Sequence, residues 1–307
     1  MNEPISAVTD LLPISPHTKD LGGGFTVRRV LPHLQHPAIG PFVFFDHFGP
    51  VTTNPGDNHD VRPHPHVGLA TVTYLFEGAI VHRDSTGVER RIEPGAINWM
   101  TSGRGIVHSE RAPDDLRDRP FVRHGLQLWT ALPAEHEETE AAFEHTPADR
   151  IPLHIAPGVE ACVAVGRAHG MVSPVSTLSP TLLVDYRLQP GASITLPGSD
   201  EATERGIYGI EGSFEIDNGD GHVQTVESRQ LVVLPAGRHA VLRAGATAAR
   251  VILLGGTPLG HRFMSWNFVS TRRERITEAA EAWERDGMGH VANDDERIPL
   301  PANRPTA

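Results

Sequence analysis

Residues 70–100 read ATVTYLFEGAIVHRDSTGVERRIEPGAINWM. Short runs rich in Val, Ile, Thr and aromatic residues, at 70–76, 79–83, 89–92 and 97–100, are separated by Glu77-Gly78, Asp84-Ser85-Thr86-Gly87 and Pro94-Gly95. Branched and aromatic side chains suit a pleated, half-buried strand, while Gly, Asp and Pro suit the reversals between strands. The gaps leave no room for crossover helices, so the strands are expected to pair antiparallel in a barrel or sandwich.

The same rhythm continues outward. Upstream it predicts strands at 25–31 and 42–45, and downstream at 105–110 and 123–131. A polar, Glu- and His-rich stretch then interrupts it before strands resume at 160–166, 181–188, 194–196, 206–210, 213–216, 224–226, 230–234, 240–243 and 250–254. The halves resemble each other: Glu77-Gly78 and Asn98-Trp99-Met100 align, at a shift of 134, with Glu211-Gly212 and Val232-Val233-Leu234. This points to a duplicated barrel. The expected class is all-β: two tandem antiparallel β-barrels with a short C-terminal helix. The expected division is an arm at 1–24 with a hinge at Gly22-Gly23-Gly24, a first barrel at 25–132, a linker at 133–150 with one helical turn, a second barrel at 151–262, and a helix and tail at 263–307. For the helix, Thr271 and Glu274 form a candidate capping box, Ile276, Ala279, Ala280 and Trp283 follow at helical spacing, and Gly287 can end it. Its apolar stripe is expected on a barrel exterior.

Composition agrees with a folded chain of about two domains: 307 residues, 39% hydrophobic and 21% charged, with 30 Gly and 26 Pro. A net charge of −11 disfavours direct nucleic-acid binding, and the basic group Arg272, Arg273 and Arg275 alternates with acids as on a solvated helix face. The single cysteine, Cys162, excludes an intramolecular disulfide and a multi-thiolate metal site; in a strand it is expected to be buried and inert. No stretch is long and apolar enough to span a bilayer, and residues 1–20 lack a signal-like pattern, so a cytoplasmic protein without membrane association is expected. A monomer is the default expectation, which no residue pattern decides.

Two short motifs carry the chemistry. His64-Pro65-His66 and His108-Ser109-Glu110 each place two ligand-type side chains two residues apart, which on a strand point to one face. If both pairs face a barrel interior, three imidazoles and a carboxylate converge. Such a set suits one divalent ion, Fe(II) or Mn(II) ahead of Ni(II), Cu(II) or Zn(II), and leaves about two of six positions open. The other reading is that these histidines are surface or hydrogen-bonded core residues that never meet. In the second half the 134 shift puts Gly198 and Asp200 at the places of His64 and His66, and His239 is a lone histidine. An empty, structural second barrel is therefore expected. Phe42, Phe44, Phe45, Phe48 and Trp99 read as core or pocket wall.

At this point a resemblance decides between the readings. The run Arg62-Pro63-His64-Pro65-His66-Val67-Gly68-Leu69-Ala70 through Glu77-Gly78, then His82-Arg83-Asp84-Ser85, the block from Pro94-Gly95 to His108-Ser109-Glu110, and Gly40-Pro41-Phe42 through Asp46-His47-Phe48 resemble the pirin family of the cupin superfamily. About 90 residues keep the order and spacing; the second half matches in layout more than in letters. The resemblance implies a bicupin whose H-P-H and H-x-E pairs bind iron, which carries over to His64, His66, His108 and Glu110. It further implies a metal-dependent dioxygenase taking O2 and a small aromatic substrate such as a flavonol, with Glu110 as ligand or base. Pirins are also described as non-catalytic redox-sensing regulators, which would imply a protein partner. Two departures narrow the transfer. Ala70 stands where many pirins carry Glu, and residues 263–270 differ from the better-known ending, so the metal carries over more firmly than the substrate.

Overall fold

Antiparallel pairing organises the chain into two units, described over residues 11–22, 24–198, 202–219 and 222–302 in a computed structural model. The first unit comprises 17–151, 175–179 and 259 onward; the second comprises 11–16, 152–174 and 180–258. Among the described residues no helix is long and apolar enough to cross a membrane.

The first unit contains β1 (His17–Asp20), β2 (Thr26–Leu31), β3 (Phe42–Thr53), β4 (Val61–His66), β5 (Leu69–Glu77), β6 (Ile80–Asp84), β7 (Glu89–Ile92), β8 (Ile97–Thr101) and β9 (Ile106–Arg111). After one helical turn, α1 (Asp114–Arg117), come β10 (Phe121–Ala131) and β11 (Ala142–Thr146). Seven strands in the order β1-β2-β3-β10-β5-β8-β11 form one sheet, and β4-β9-β6-β7 form the other. The sheets face each other, so that Thr73 of β5 reaches Glu110 of β9 and Trp129 of β10 meets the ring of His66 on β4.

Several expectations change here. Residues 1–10 and Gly23 lie outside the described residues, but 17–20 are not part of an arm: they pair with β2. Residues 11–16 belong to the second unit, where Leu11 is buried and Ile14 pairs with Leu231. β3 runs to Thr53 rather than stopping at Phe45, because β10 offers a partner along its whole length through a bulge at Arg123–Gly125. The expected linker contains β11, which pairs with β8 and closes the large sheet; its polarity is that of an edge strand with one solvated face.

The second unit contains β12 (Leu153–Ala156), β13 (Val159–Val165), a small hairpin β14 (Arg167–Ala168) and β15 (Met171–Val172), β16 (Thr181–Leu188), β17 (Ser193–Thr195), β18 (Glu204–Glu211), β19 (Phe214–Asp217), β20 (Val223–Val226), β21 (Leu231–Leu234), β22 (Val241–Ala244) and β23 (Ala249–Gly256). Its sheets are ordered β12-β13-β16-β23-β18-β21 and β17-β22-β19-β20. The central order β3-β10-β5-β8 is thus repeated as β16-β23-β18-β21, and β4-β9-β6-β7 as β17-β22-β19-β20. The registers carry the repeat to single residues: Thr73 opposes Asn98 as Ile207 opposes Val232, the shift of 134 in both strands. Gly78 and Gly212 hold the same corner with φ of +85° and +68°, where a Cβ would collide with the carbonyl oxygens of Val122 and Ala248. Cys162 on β13 is half-buried rather than fully buried.

The C-terminal part of the first unit adds β24 (Phe263–Ser265), β25 (Phe268–Ser270) and α2 (Arg273–Glu284). Ile276, Ala279 and Trp283 of α2 pack with Phe268 on Val67 and Val107, so the apolar stripe covers the outer face of the β4–β9 pair. The capping box does not form. The amide and hydroxyl of Thr271 bond the buried carboxylate of Glu137 instead, and the helix starts after Arg272 with no side-chain cap. At the other end Asp286, with φ of +60°, makes the left-handed turn, and the Gly287 amide donates to Ala282 at 2.8 Å.

Candidate metal centre

Strand alternation explains how β4 and β9 present their histidines. His64 sits opposite His108, and His66 lies two residues along β4, so all three side chains share the inner face while Val107 goes outward to α2. Pro65 between the histidines fixes its own φ and donates no hydrogen bond. Nitrogens of His64, His66 and His108 all lie within 4.8 Å of one another, and the rings are 7%, 1% and 1% exposed. Burial lowers the pKa of all three, His64 to about 4 and the others well below the ordinary histidine range, with mutual repulsion adding to the effect in His66 and His108. The rings are therefore neutral near pH 7, the form that donates a lone pair.

The hydrogen-bond pattern fixes which lone pairs are offered. His64 Nδ1 lies 2.9 Å from the carbonyl of Arg62, which only accepts, so Nδ1 carries the proton and Nε2 is left bare. His108 is set through two further residues. Asp84 Oδ1 accepts from the Thr86 amide and hydroxyl and the Val88 amide, and its Oδ2 is 3.0 Å from His82 Nε2. Burial alone would raise the Asp84 carboxyl, but the bonds from His82 and Thr86 bring it below its usual value, so it accepts from His82. His82 Nδ1 is then an acceptor, 3.3 Å from His108 Nδ1, which leaves His108 Nε2 with its lone pair free and no hydrogen-bond partner. His66 Nε2 is likewise buried without a partner. Bare, neutral imidazole nitrogens aimed at one another are costly in a folded interior and fit a cation between them.

Glu110 shares the cavity but stands apart from the tight histidine cluster. Its Oε1 is 3.3 Å from the hydroxyl of Thr73, which also approaches Gln127 Oε1 at 3.0 Å. Burial raises its pKa, opposed by His82, by the Thr73 bond and by Arg123. The structure thus brings His64, His66 and His108 together and leaves Glu110 at their edge, held by a hydroxyl. His82 and Asp84 received no role from the sequence, although an H-x-D alternation on one strand was the available signal. Thr73 and Gln127 carried none, since single polar residues in strands are unremarkable.

The cavity over the cluster measures about 750 Å³ and is bounded by β1 to β4, β9, β10 and the C-terminal tail. Trp129 and Phe44 stack at 3.9 Å to form one wall beside His66, with Arg29 lying over Phe44 and bound to Asp46. Ile298 and Pro301 form part of the rim, where the Ile298 amide donates to the Pro63 carbonyl at 2.8 Å and the Trp283 indole donates to the Ile298 carbonyl. A volume of this size takes a drug-sized aromatic.

Known proteins place this arrangement. The family profile described as Pirin matches residues 24–130, and that described as Pirin C-terminal cupin domain matches residues 183–289. The chain belongs to the pirin family. Among pirin relatives, a pirin-like protein of Caulobacter vibrioides is 44% identical over 92% of this chain and 96% of its own length. A Pseudomonas aeruginosa protein provisionally named quercetin 2,3-dioxygenase is 37% identical over 88% of this chain and 82% of its own. The crystal structure of quercetin 2,3-dioxygenase from Acinetobacter baumannii superposes with a TM-score of 0.85 at 33% identity, covering 95% of each chain.

Within this pirin bicupin the second barrel repeats the site's scaffold without its chemistry. Ile194 opposes Leu242 where His64 opposes His108, and Ala244 and Phe214 pair where Glu110 and His82 pair. All four belong to or pack against one apolar core. This corrects the simple shift of 134 for the first histidine pair: the equivalent strand is β17, not Gly198 onward, and Asp200 lies outside the described residues. His239 is exposed.

Proposed function

We propose that this chain is a metal-dependent dioxygenase that opens a flavonol of the quercetin type or a related oxygenated aromatic. His64, His66 and His108 would hold one mononuclear divalent ion, Fe(II) ahead of Mn, Ni, Cu or Zn, and Glu110 would complete the set. The observation that carries this reading is the trio of buried, neutral imidazoles with unpaired nitrogens facing one another at the head of an open cavity. When bound, such an ion supplies open coordination positions and redox chemistry with dioxygen. The likeness to a quercetin 2,3-dioxygenase supports the choice of substrate class.

The chain's own residues have distinct tasks in this reading. The Phe44–Trp129 wall stacks an aromatic ring and excludes water from one side. Asp84 and His82 keep His108 in the tautomer that presents Nε2. Glu110, with a carboxyl held up by burial, takes a proton from an enolic or phenolic hydroxyl, and Thr73 and Gln127 keep it oriented. A cavity this open favours an enzyme over a surface-acting regulator, whose site would be filled.

Oxygen uptake with quercetin after iron loading tests the reading, in the wild type and in Glu110→Gln. Uptake in the wild type that falls at least about tenfold in the variant is expected. Equal turnover removes Glu110 from the mechanism, and no uptake by fully loaded protein across a panel of flavonols and catechols rejects the dioxygenase.

A further inference from the structure

Arg29, Arg111 and Arg250 each lay the Nε and Nη2 edge of the guanidinium along a carboxylate, at 2.6–3.0 Å. That edge offers two parallel donors matched to two oxygens. Arg123 on β10 is only 3% exposed and has no such partner: Nη1 donates to the His59 carbonyl at 2.7 Å, while Nε and Nη2 are buried and donate to nothing. The near carboxylate, Asp60, has its Oδ1 4.0 Å from Nη2 and is already engaged. Its Oδ1 accepts the Ala112 amide at 2.7 Å, and its Oδ2 accepts from Arg117 at 3.0 Å with Arg111 at 3.7 Å. Phe25 and Phe121 flank the guanidinium, with ring centres 6.0 and 5.6 Å away. Three guanidinium groups thus share Asp60, and the most buried of them is left with its bidentate edge unmet.

Arg123 lines the same cavity as the histidine cluster. A buried cation with two unmet donors is a costly thing to retain, and a ligand oxygen pair would meet both donors at once. We propose that the Nε and Nη2 edge of Arg123 seats a carboxylate of the substrate, so that the cavity takes oxygenated aromatic acids: hydroxyl oxygens toward the histidines, carboxylate at Arg123, ring between aromatic walls. The proposal rests on reading this cavity as a substrate site, and narrows the substrate to an anionic member of the class.

Two probes separate the charge from the ring: 3,4-dihydroxybenzoate and 3,4-dihydroxybenzamide share the ring and both hydroxyls. Each is titrated anaerobically into metal-loaded protein, followed by calorimetry and by quenching of tryptophan fluorescence, to which Trp129 at the cavity wall contributes. The wild type is expected to bind the acid about ten- to a hundredfold more tightly than the amide, the range of a charge-assisted bidentate contact. Arg123→Met is expected to abolish the preference and leave amide affinity in place; Arg123→Lys, charged but without the planar edge, is expected to reduce it. Equal binding of acid and amide by the wild type, no binding of either, or a preference that survives unchanged in Arg123→Met overturns the proposal. Should Arg123→Met fail to fold by circular dichroism, Arg123→Lys decides, an unchanged ratio counting against it. The binding assay runs without oxygen, so the two readings fail separately. Acid preference without any oxygen uptake sinks the dioxygenase alone, whereas quercetin turnover with acid and amide indistinguishable sinks the carboxylate seat alone.

Discussion

Across the large sheet of the first barrel runs a row of polar residues, Asp46, Gln127, Thr73 and Asn98, each opposite the next; at the same registers the second barrel has Val184, Leu253, Ile207 and Val232. The apolar row is buried to the last atom and belongs to one core that fills the second barrel. The polar row is also nearly buried, yet each member has a partner: Arg29 on Asp46, Thr73 with Gln127, His145 on Asn98. One strand order therefore supports two interiors. A barrel packed with branched aliphatics gains its stability from close packing, while in the barrel that keeps a cavity this polar row is paired and, among the described residues lining that cavity, the unmet donors and lone pairs are confined to the histidine cluster and Arg123. The comparison teaches that, at these registers, the second barrel uses for packing the positions where the first carries polar groups.

Removing a ligand should break the difference most severely. His108→Ala takes one of three converging nitrogens, and the metal bound per chain after dialysis is expected to fall from near one to trace, a loss of affinity well beyond about a hundredfold. Elemental analysis reads it directly. The converse substitution, Leu242→Asn at the matching register, should destabilise by about 3–5 kcal/mol without recruiting metal, since it opens a cavity and buries an unpaired amide. Thermal unfolding of the two variants side by side measures the contrast; a Leu242→Asn chain as stable as wild type would mean that the second interior is not tightly packed.

Acid should separate the barrels next. In chelator-stripped protein the three cluster histidines have folded pKa values below the unfolded 6.5, so below pH 6.5 the unfolded chain binds more protons than the folded one. Stability is therefore complete above that pH and is lost as pH falls, His64 alone accounting for about 3 kcal/mol by pH 4. Urea titrations at pH 7.5, 5.5 and 4.5 should show the first barrel weakening before the second, and equal weakening of both would count against this origin. The smallest expected effect sharpens the comparison within the site itself. Asp84→Asn leaves the three cluster histidines in place but frees the tautomers of His82 and His108, so metal affinity is expected to fall about ten- to a hundredfold with little change in fold. Competition against a chelating dye measures it, and an unchanged affinity would reduce Asp84 to a turn residue.

Much of this was legible in the residues. Alternation and turn chemistry between Ala70 and Met100 gave the antiparallel sheets, and two ligand pairs at spacing two gave the histidine cluster. What escaped depended on partners distant in sequence. β11 reads as a polar linker until β8 supplies its edge, and Thr271 reads as a helix cap until Glu137 arrives to take its hydrogen bonds. The role of His82 needed the third dimension, because only the register of β6 on β9 sets it behind His108. The unmet Nε and Nη2 edge of Arg123 is invisible in a sequence, which does not say which arginines meet carboxylates.

The rim built by Ile298 and Pro301 has a consequence for biosynthesis. These residues leave the ribosome only after the whole second barrel has been translated, so the histidines of the earlier barrel wait, partly roofless, through most of elongation. Should the three histidines take an ion, the site offered to it through most of synthesis is the uncovered one, and the tail docks on Pro63 only afterwards.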